Sequence, residues 1–180
     1  MARIGVMALQ GGFAKHLEAL AEIGHEGVPV KRPRDFAGLE GLVFPGGEST
    51  VMLGAIARAG VEGELIALCR KAPVLATCAG LILLAKTVVD PAQHSFGLLD
   101  VTVRRNGWGR QVDSFEATDD SGEHGLIFIR APRVTAVGAE VEILARYEGE
   151  PVLVRQGKIW GATFHPELGS DRRIHARIFG

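Results

Sequence analysis

Cys78 sits in the stretch PVLATCAGLILLAK, where a short apolar run ends on a thiol among Ala76, Thr77, Ala79 and Gly80. Small residues on both sides are what a nucleophile elbow requires, because a strained strand-to-helix turn brings neighbouring backbones close together. Such a turn sets the sulfur at a helix N-terminus. There the dipole favours the thiolate, and free N–H groups can receive an oxyanion. The other common fate of a free cysteine is a small hydrophobe in a core. Cys69, inside an apolar helical segment, fits that second description.

A thiol nucleophile needs a histidine base and a group that orients it. Six histidines are available. His16 lies within a helix, His25 and His175 fall in polar surroundings, and His94 and His124 lie in segments that read as loops. His165 differs because it ends an apolar strand, in ATFHPEL. Pro166 holds the backbone extended, so His165 and Glu167 point the same way at i, i+2 spacing, and Glu167 can accept a hydrogen bond from the imidazole. The stretch PGGES places two glycines after a third strand. A backbone N–H of Gly46 or Gly47 is then a candidate oxyanion donor. The stretch matches neither a Walker loop nor a dinucleotide fingerprint, and no residues have metal-ligand spacing.

The elements that must position these groups alternate. Arg3 to Leu9 reads as a buried strand, followed by QGG and by Phe13, Leu17 and Leu20 at helical spacing up to Gly24. Val28 to Val30 and Leu42 to Phe44 read as strands. Ser49 or Thr50 is a candidate cap for a helix to about Arg58, and Val61 to Lys71 reads as another helix. Val74 to Thr77 reads as a strand and Gly80 to Lys86 as a helix. This order predicts an α/β fold, a mostly parallel sheet flanked by helices in three layers. From Leu99 onward LLDVTVRR, SFEAT, LIFIRAP, VEILARYEG, PVLVRQG and KIWGATFH read as strands, some extending the sheet and some forming a small antiparallel layer. Ser170 to Phe179 closes the chain as a short helix. The loops LQGG, PGGES, TCAG and FHPE all follow strand C-termini, where open α/β sheets bind ligands.

A length of 180 residues predicts one domain, residues 1–180, able to bury a sizeable core. A net charge of −1 argues against nucleic acid or an anionic membrane as the main partner. The segment MARIGVMALQGG has too short an apolar core for a secretory signal, and no apolar run reaches the roughly 20 residues of a membrane span. Two cysteines without ligand spacing fit a reducing cytoplasm.

The segments LQGGFAKH, PGGEST, TCAGLILLAK, RRNGWGRQVDSFE, FIRAP and FHPEL resemble, in order and over essentially the whole chain, the glutaminase subunits of pyridoxal 5′-phosphate synthase. These are triad-type (class I) glutamine amidotransferases. The resemblance implies a flavodoxin-like fold and hydrolysis of L-glutamine to glutamate and ammonia, with no cofactor and no metal. It implies Cys78 as nucleophile, His165 as general base and acid, and Glu167 as its orienter. Gly47, Glu48 and Ser49 match a glutamine-binding loop, Arg105 a substrate-binding arginine, and Ile129 with Arg130 a second binding stretch. An arginine suits the α-carboxylate of the substrate and a glutamate its α-ammonium. The resemblance implies that backbone N–H groups near Gly47 and Ala79 form the oxyanion hole. Two positions depart from the pattern: Ala76 stands where the family has glycine, and Gly12 where it often has alanine.

The resemblance further implies a hetero-oligomer in which ammonia passes to a separate synthase subunit. Such a glutaminase depends on that subunit for activity, and the peptide between Gly46 and Gly47, held by Gln10, is the candidate switch. Three other readings share parts of these motifs: a glutaminase serving another synthase, a cysteine hydrolase of a related α/β class, and a regulatory subunit without activity.

Overall fold

Strand β1 (Arg3–Met7) lies between β2 (Glu26–Val30) and β3 (Gly41–Phe44), parallel to both. In this computed structural model, which describes residues 1–105, 107 and 114–180, β4 (Val74–Thr77) then pairs parallel with β3. The next strand of the sheet comes from far along the chain: β12 (Ile159–Ala162) pairs parallel with β4. Counting the parallel strands alone, the order is the 2-1-3-4-5 of flavodoxin-like folds. Two antiparallel strands, β11 (Glu150–Gln156) and β10 (Glu142–Tyr147), extend it beyond β12 to seven.

Side chains alternate across this sheet, so each strand feeds two cores. On one face Leu42, Phe44, Val74 and Ala76 meet α2 (Ser49–Ala59), α3 (Glu62–Cys69) and α4 (Ala79–Leu84). On the other, Ile4, Val6, Val43 and Leu75 meet α1 (Phe13–Glu22) and α5 (Arg173–Phe179). These are the three layers anticipated from the alternating pattern. Two smaller sheets sit beside them. One joins β5 (Ala85–Val89), β6 (Leu99–Arg104) and β9 (Arg133–Val137); the other joins β7 (Ser114–Thr118) and β8 (Gly125–Ile129).

Several boundaries differ from the sequence reading. The helix after Cys78 stops at Leu84, and Ala85–Val89 becomes a strand parallel to β6. The β-branched Thr87, Val88 and Val89 favour that extended state. Strand β9, in RVTAV, was not anticipated and pairs antiparallel with β6. The cap of α2 is neither Ser49 nor Thr50 but Glu48, whose carboxylate accepts the Val51 N–H at 3.0 Å. Ser49 is engaged elsewhere, its hydroxyl donating to Gln93 Oε1 at 2.8 Å. His175 does not lie in polar surroundings: it is fully buried on the inner face of α5. Most of the segment RRNGWGRQVDSFE, residues 104–116, lies outside the described residues. Among the described residues, no helix is long and apolar enough to cross a membrane.

Candidate active site

Cys78 occupies the turn between β4 and α4 with φ 48° and ψ −107°, a conformation that residues with a side chain seldom adopt. Three local features hold it there. The Cys78 N–H donates to the Ala162 carbonyl at 2.9 Å and its carbonyl accepts the Ile82 N–H at 3.2 Å. Gly80 lies so close to β3 that an added Cβ would stand 2.3 Å from the Phe44 carbonyl oxygen. The glycine of TCAG is thus a packing requirement of the elbow. The thiol is nearly buried, and its S–H points to the Ile129 carbonyl oxygen, 3.8 Å away.

His165 follows β12, and register carries it to the same place: Ala162 pairs with Thr77 across the parallel ladder. Its Nδ1 lies 2.7 Å from Glu167 Oε1, but strand alternation is not the cause. Residues 166–168 form a turn, with the Leu168 N–H donating to the His165 carbonyl at 3.3 Å, and this turn rather than the expected extended backbone brings the carboxylate to the ring. Its Nε2 makes no hydrogen bond of normal geometry among the described residues. Gly46 lies against both His165 and Cys78. A Cβ there would lie 2.3 Å from His165 Cε1 and 3.2 Å from Cys78 Cβ, so only glycine leaves both side chains in place. Burial disfavours charge on His165, but the Cys78 sulfur and the Glu167 carboxylate beside the ring outweigh it and hold its pKa well above the ordinary value. Burial likewise opposes charge on Glu167, whereas His16 and His165 favour it and hold its pKa below the usual carboxylate range.

A cavity of about 280 Å³ opens in front of Cys78. Apart from Glu167 and Ala79, every site residue singled out from the sequence lines it: Gln10, Gly46, Gly47, Glu48, Ser49, Cys78, Arg105, Ile129, Arg130 and His165. Gly12, from the LQGG loop expected at this edge, and Ile82, which was not anticipated, complete the lining. At its mouth Arg105 Nη2 lies 3.3 Å from Glu48 Oε1. Glu48 also accepts from the Thr50 hydroxyl, the chief cause of its lowered pKa. Arg130 is exposed and has φ 44°. The Gly46 carbonyl accepts the Gly12 N–H at 3.0 Å, and Gln10 Oε1 accepts the Glu48 N–H at 3.0 Å. Cys69 is elsewhere, buried among α3 side chains, and burial pushes its thiol up to about 12.

Two residues that sequence reasoning passed over lie directly behind Glu167. His16 on α1 and His175 on α5 are both fully buried, with His16 Nδ1 3.1 Å from His175 Nε2. The available signal was helical spacing: His16 precedes Ala19 and Leu20 by three and four residues, and His175 precedes Ile178 and Phe179 by the same steps.

A buried thiol at a helix start, an imidazole whose far nitrogen is fixed by a carboxylate, and a polar cavity lined by one cation–anion pair can together open an amide or ester by acyl transfer. A flavodoxin-like sheet carrying this arrangement is a glutamine amidotransferase framework, and the chain belongs to the SNO glutamine amidotransferase family, whose model matches residues 6–179. Its relatives are specific. It is 49% identical over 177 residues to a pyridoxal 5′-phosphate synthase subunit PdxT of Koribacter versatilis, covering 96% of this chain and 92% of that one. It is 50% identical over 179 residues to the PdxT subunit of Pseudothermotoga lettingae, covering 96% and 91%. A crystal structure of a glutamine amidotransferase superposes with a TM-score of 0.90 at 42% identity, over 97% of this chain and 96% of that chain.

Proposed function

We propose that the chain, as one glutaminase domain of residues 1–180, hydrolyses L-glutamine to L-glutamate and ammonia and delivers the ammonia to the synthase subunit of a cytoplasmic pyridoxal 5′-phosphate synthase. The observation that carries the chemistry is His165, with Nδ1 2.7 Å from Glu167 and its ring beside the Cys78 elbow. The kinship to PdxT subunits supports the choice of product pathway and partner.

In this reading the Cys78 thiolate attacks the side-chain amide carbon of glutamine. Backbone N–H groups of Gly47 and Ala79 receive the oxyanion. His165 protonates the departing ammonia, then takes a proton from the water that opens the thioester. The Arg105–Glu48 pair opens around the amino-acid head group, Arg105 to its α-carboxylate and Glu48 to its α-ammonium, while Ser49, Ile129 and Arg130 form the adjoining wall. The Gly46–Gly47 peptide is the activity switch. In a trans peptide the Gly47 N–H points opposite to the Gly46 carbonyl, which Gly12 holds. Turning this peptide breaks that bond and re-aims the N–H, and Gln10 selects between the two states through the Glu48 N–H.

The test combines labelling and turnover. A diazo-ketone analogue of glutamine should alkylate Cys78 and spare Cys69, and ammonia release should rise sharply when the synthase subunit is added. Labelling of Cys69 instead, or no labelling and no ammonia with the partner present, would overturn the reading.

A further inference from the structure

The mechanism above uses Glu167 through one oxygen. The other, Oε2, is buried and has no hydrogen bond of normal geometry among the described residues. What it faces is His16 Nε2 at 3.3 Å, and that same nitrogen stands 3.4 Å from the Thr77 hydroxyl, one residue before the nucleophile. His175 lies behind His16. A line of four buried groups therefore runs His175–His16–Glu167–His165, ending at Cys78.

The protons in this line can be assigned from chemistry alone. Glu167 is ionised and offers only lone pairs. A lone pair of His16 Nε2 turned toward it would be repelled, so Nε2 carries the hydrogen. Burial disfavours the charged form of both rings, lowering His16 to about 4 and His175 to about 3, so each carries one N–H at neutral pH. His16 Nδ1 is then an acceptor, and His175 Nε2 must be the donor to it. That leaves His175 Nδ1 as a bare lone pair, and Nδ1 is the atom without a partner among the described residues. The opposite assignment would strand an N–H there, which buried structure tolerates less well than a free acceptor. The carboxylate at one end and the unpartnered nitrogen at the other dictate the same tautomers.

We propose that His16, its tautomer fixed by His175, is a positioning residue for Glu167: its Nε2–H holds Oε2 so that Oε1 stays aimed at His165 Nδ1. The inference rests on the glutaminase reading of the site. A neutral donor suits this task better than an arginine or lysine. It anchors the carboxylate without supplying a counter-charge, so the negative charge of Glu167 remains available to the imidazolium that forms on His165. Arg172, whose charge reaches both rings, is instead paired at the surface with Glu22, Nε to Oε2 2.6 Å.

The experiment is steady-state ammonia release by the complex with the synthase subunit, comparing variants that keep or remove the donor. The amide nitrogen of glutamine can reach the place of His16 Nε2, whereas that of asparagine reaches only the place of Nδ1. His16→Gln should stay within about 5-fold of wild type. His16→Asn and His16→Leu should lose about 10–100-fold in kcat with KM changed less than about 3-fold, and His175→Phe should fall between them. A role in packing alone would group His16→Asn with His16→Gln and would follow melting temperature rather than hydrogen-bond capacity. Equal kcat for the Asn and Gln variants would overturn the inference, even if the Leu variant fails to fold. A wild-type complex that releases no ammonia would overturn the glutaminase reading and this inference with it.

Discussion

The back and the front of the cavity are built on opposite terms. Behind Cys78, His165, Glu167, His16 and His175 are buried, and their partners are fixed by strand register and helix packing. In front, Glu48 and Arg105 pair across the opening with side-chain exposures of 40% and 15%, where water or a zwitterion can take either partner's place. The back thus holds charge in an environment that cannot reorganise, which suits a transition state. The front trades one ion pair for another, which suits binding and release. Affinity and rate should therefore separate along this line.

The sharpest break comes from the back. His165→Asn should lower kcat at least about 10³-fold in the activated complex, because both proton transfers fail, and Glu167→Gln should cost less, about 10²-fold. Quenched-flow measurement of ammonia would show it, and near-wild-type kcat in either variant would move the base elsewhere. At the front, Arg105→Gln should raise KM for glutamine about 10–100-fold and leave kcat within about 3-fold, since a charge-assisted hydrogen bond of about 1.5–3 kcal/mol is lost in ground and transition states alike. A fall in kcat with unchanged KM would place Arg105 on the catalytic side.

The buried histidines also set acid stability. Their folded pKa values, about 4 and 3, lie below the ordinary 6.5, so between pH 6.5 and 4 the unfolded chain takes up protons that the folded chain refuses. Their contribution is complete above pH 6.5 and drains away on acidification. His165, raised, has the opposite sign and loses its contribution as pH climbs above 6.5. Urea unfolding at pH 7 and pH 4.5 should differ by on the order of 3–5 kcal/mol, less stable in acid, and His16→Gln should narrow the gap. The smallest expected effect is at the other cysteine. Cys69→Ala should cost about 1 kcal/mol in stability and leave turnover unchanged, because only packing is lost.

What the sequence made legible follows the same division. The elbow could be read because steric crowding leaves a local mark: Gly80 lacks a side chain for the reason that Phe44 lies against it. His165 and Glu167 could be read as a pair because they are two positions apart, although a turn over residues 166–168 brings them together and not the extended backbone expected from Pro166. The role of Arg105 and Arg130 rested on family resemblance, since a cation at the end of a strand looks like any surface cation. His16 and His175 were passed over because they are 159 positions apart and meet only when α1 and α5 pack on one face of the sheet. Strand β9 and the conversion of Ala85–Val89 to strand escaped for a related reason: their partner β6 is what makes them strands.

The placement of β12 bears on how the molecule comes into being. This strand lies inside the sheet, between β4 and β11, although β4 precedes it by more than eighty positions. On the ribosome the half built from β1 to β4 can form before the Ala162 carbonyl that holds the Cys78 N–H has been made. It then has an open parallel edge and no His165 beside Cys78 until β12 arrives. That edge can recruit stray strands in the interval. Once β12 docks, covering the β4 edge and bringing His165 to Cys78 are a single event, so the candidate site is completed by the same step that closes the middle of the sheet.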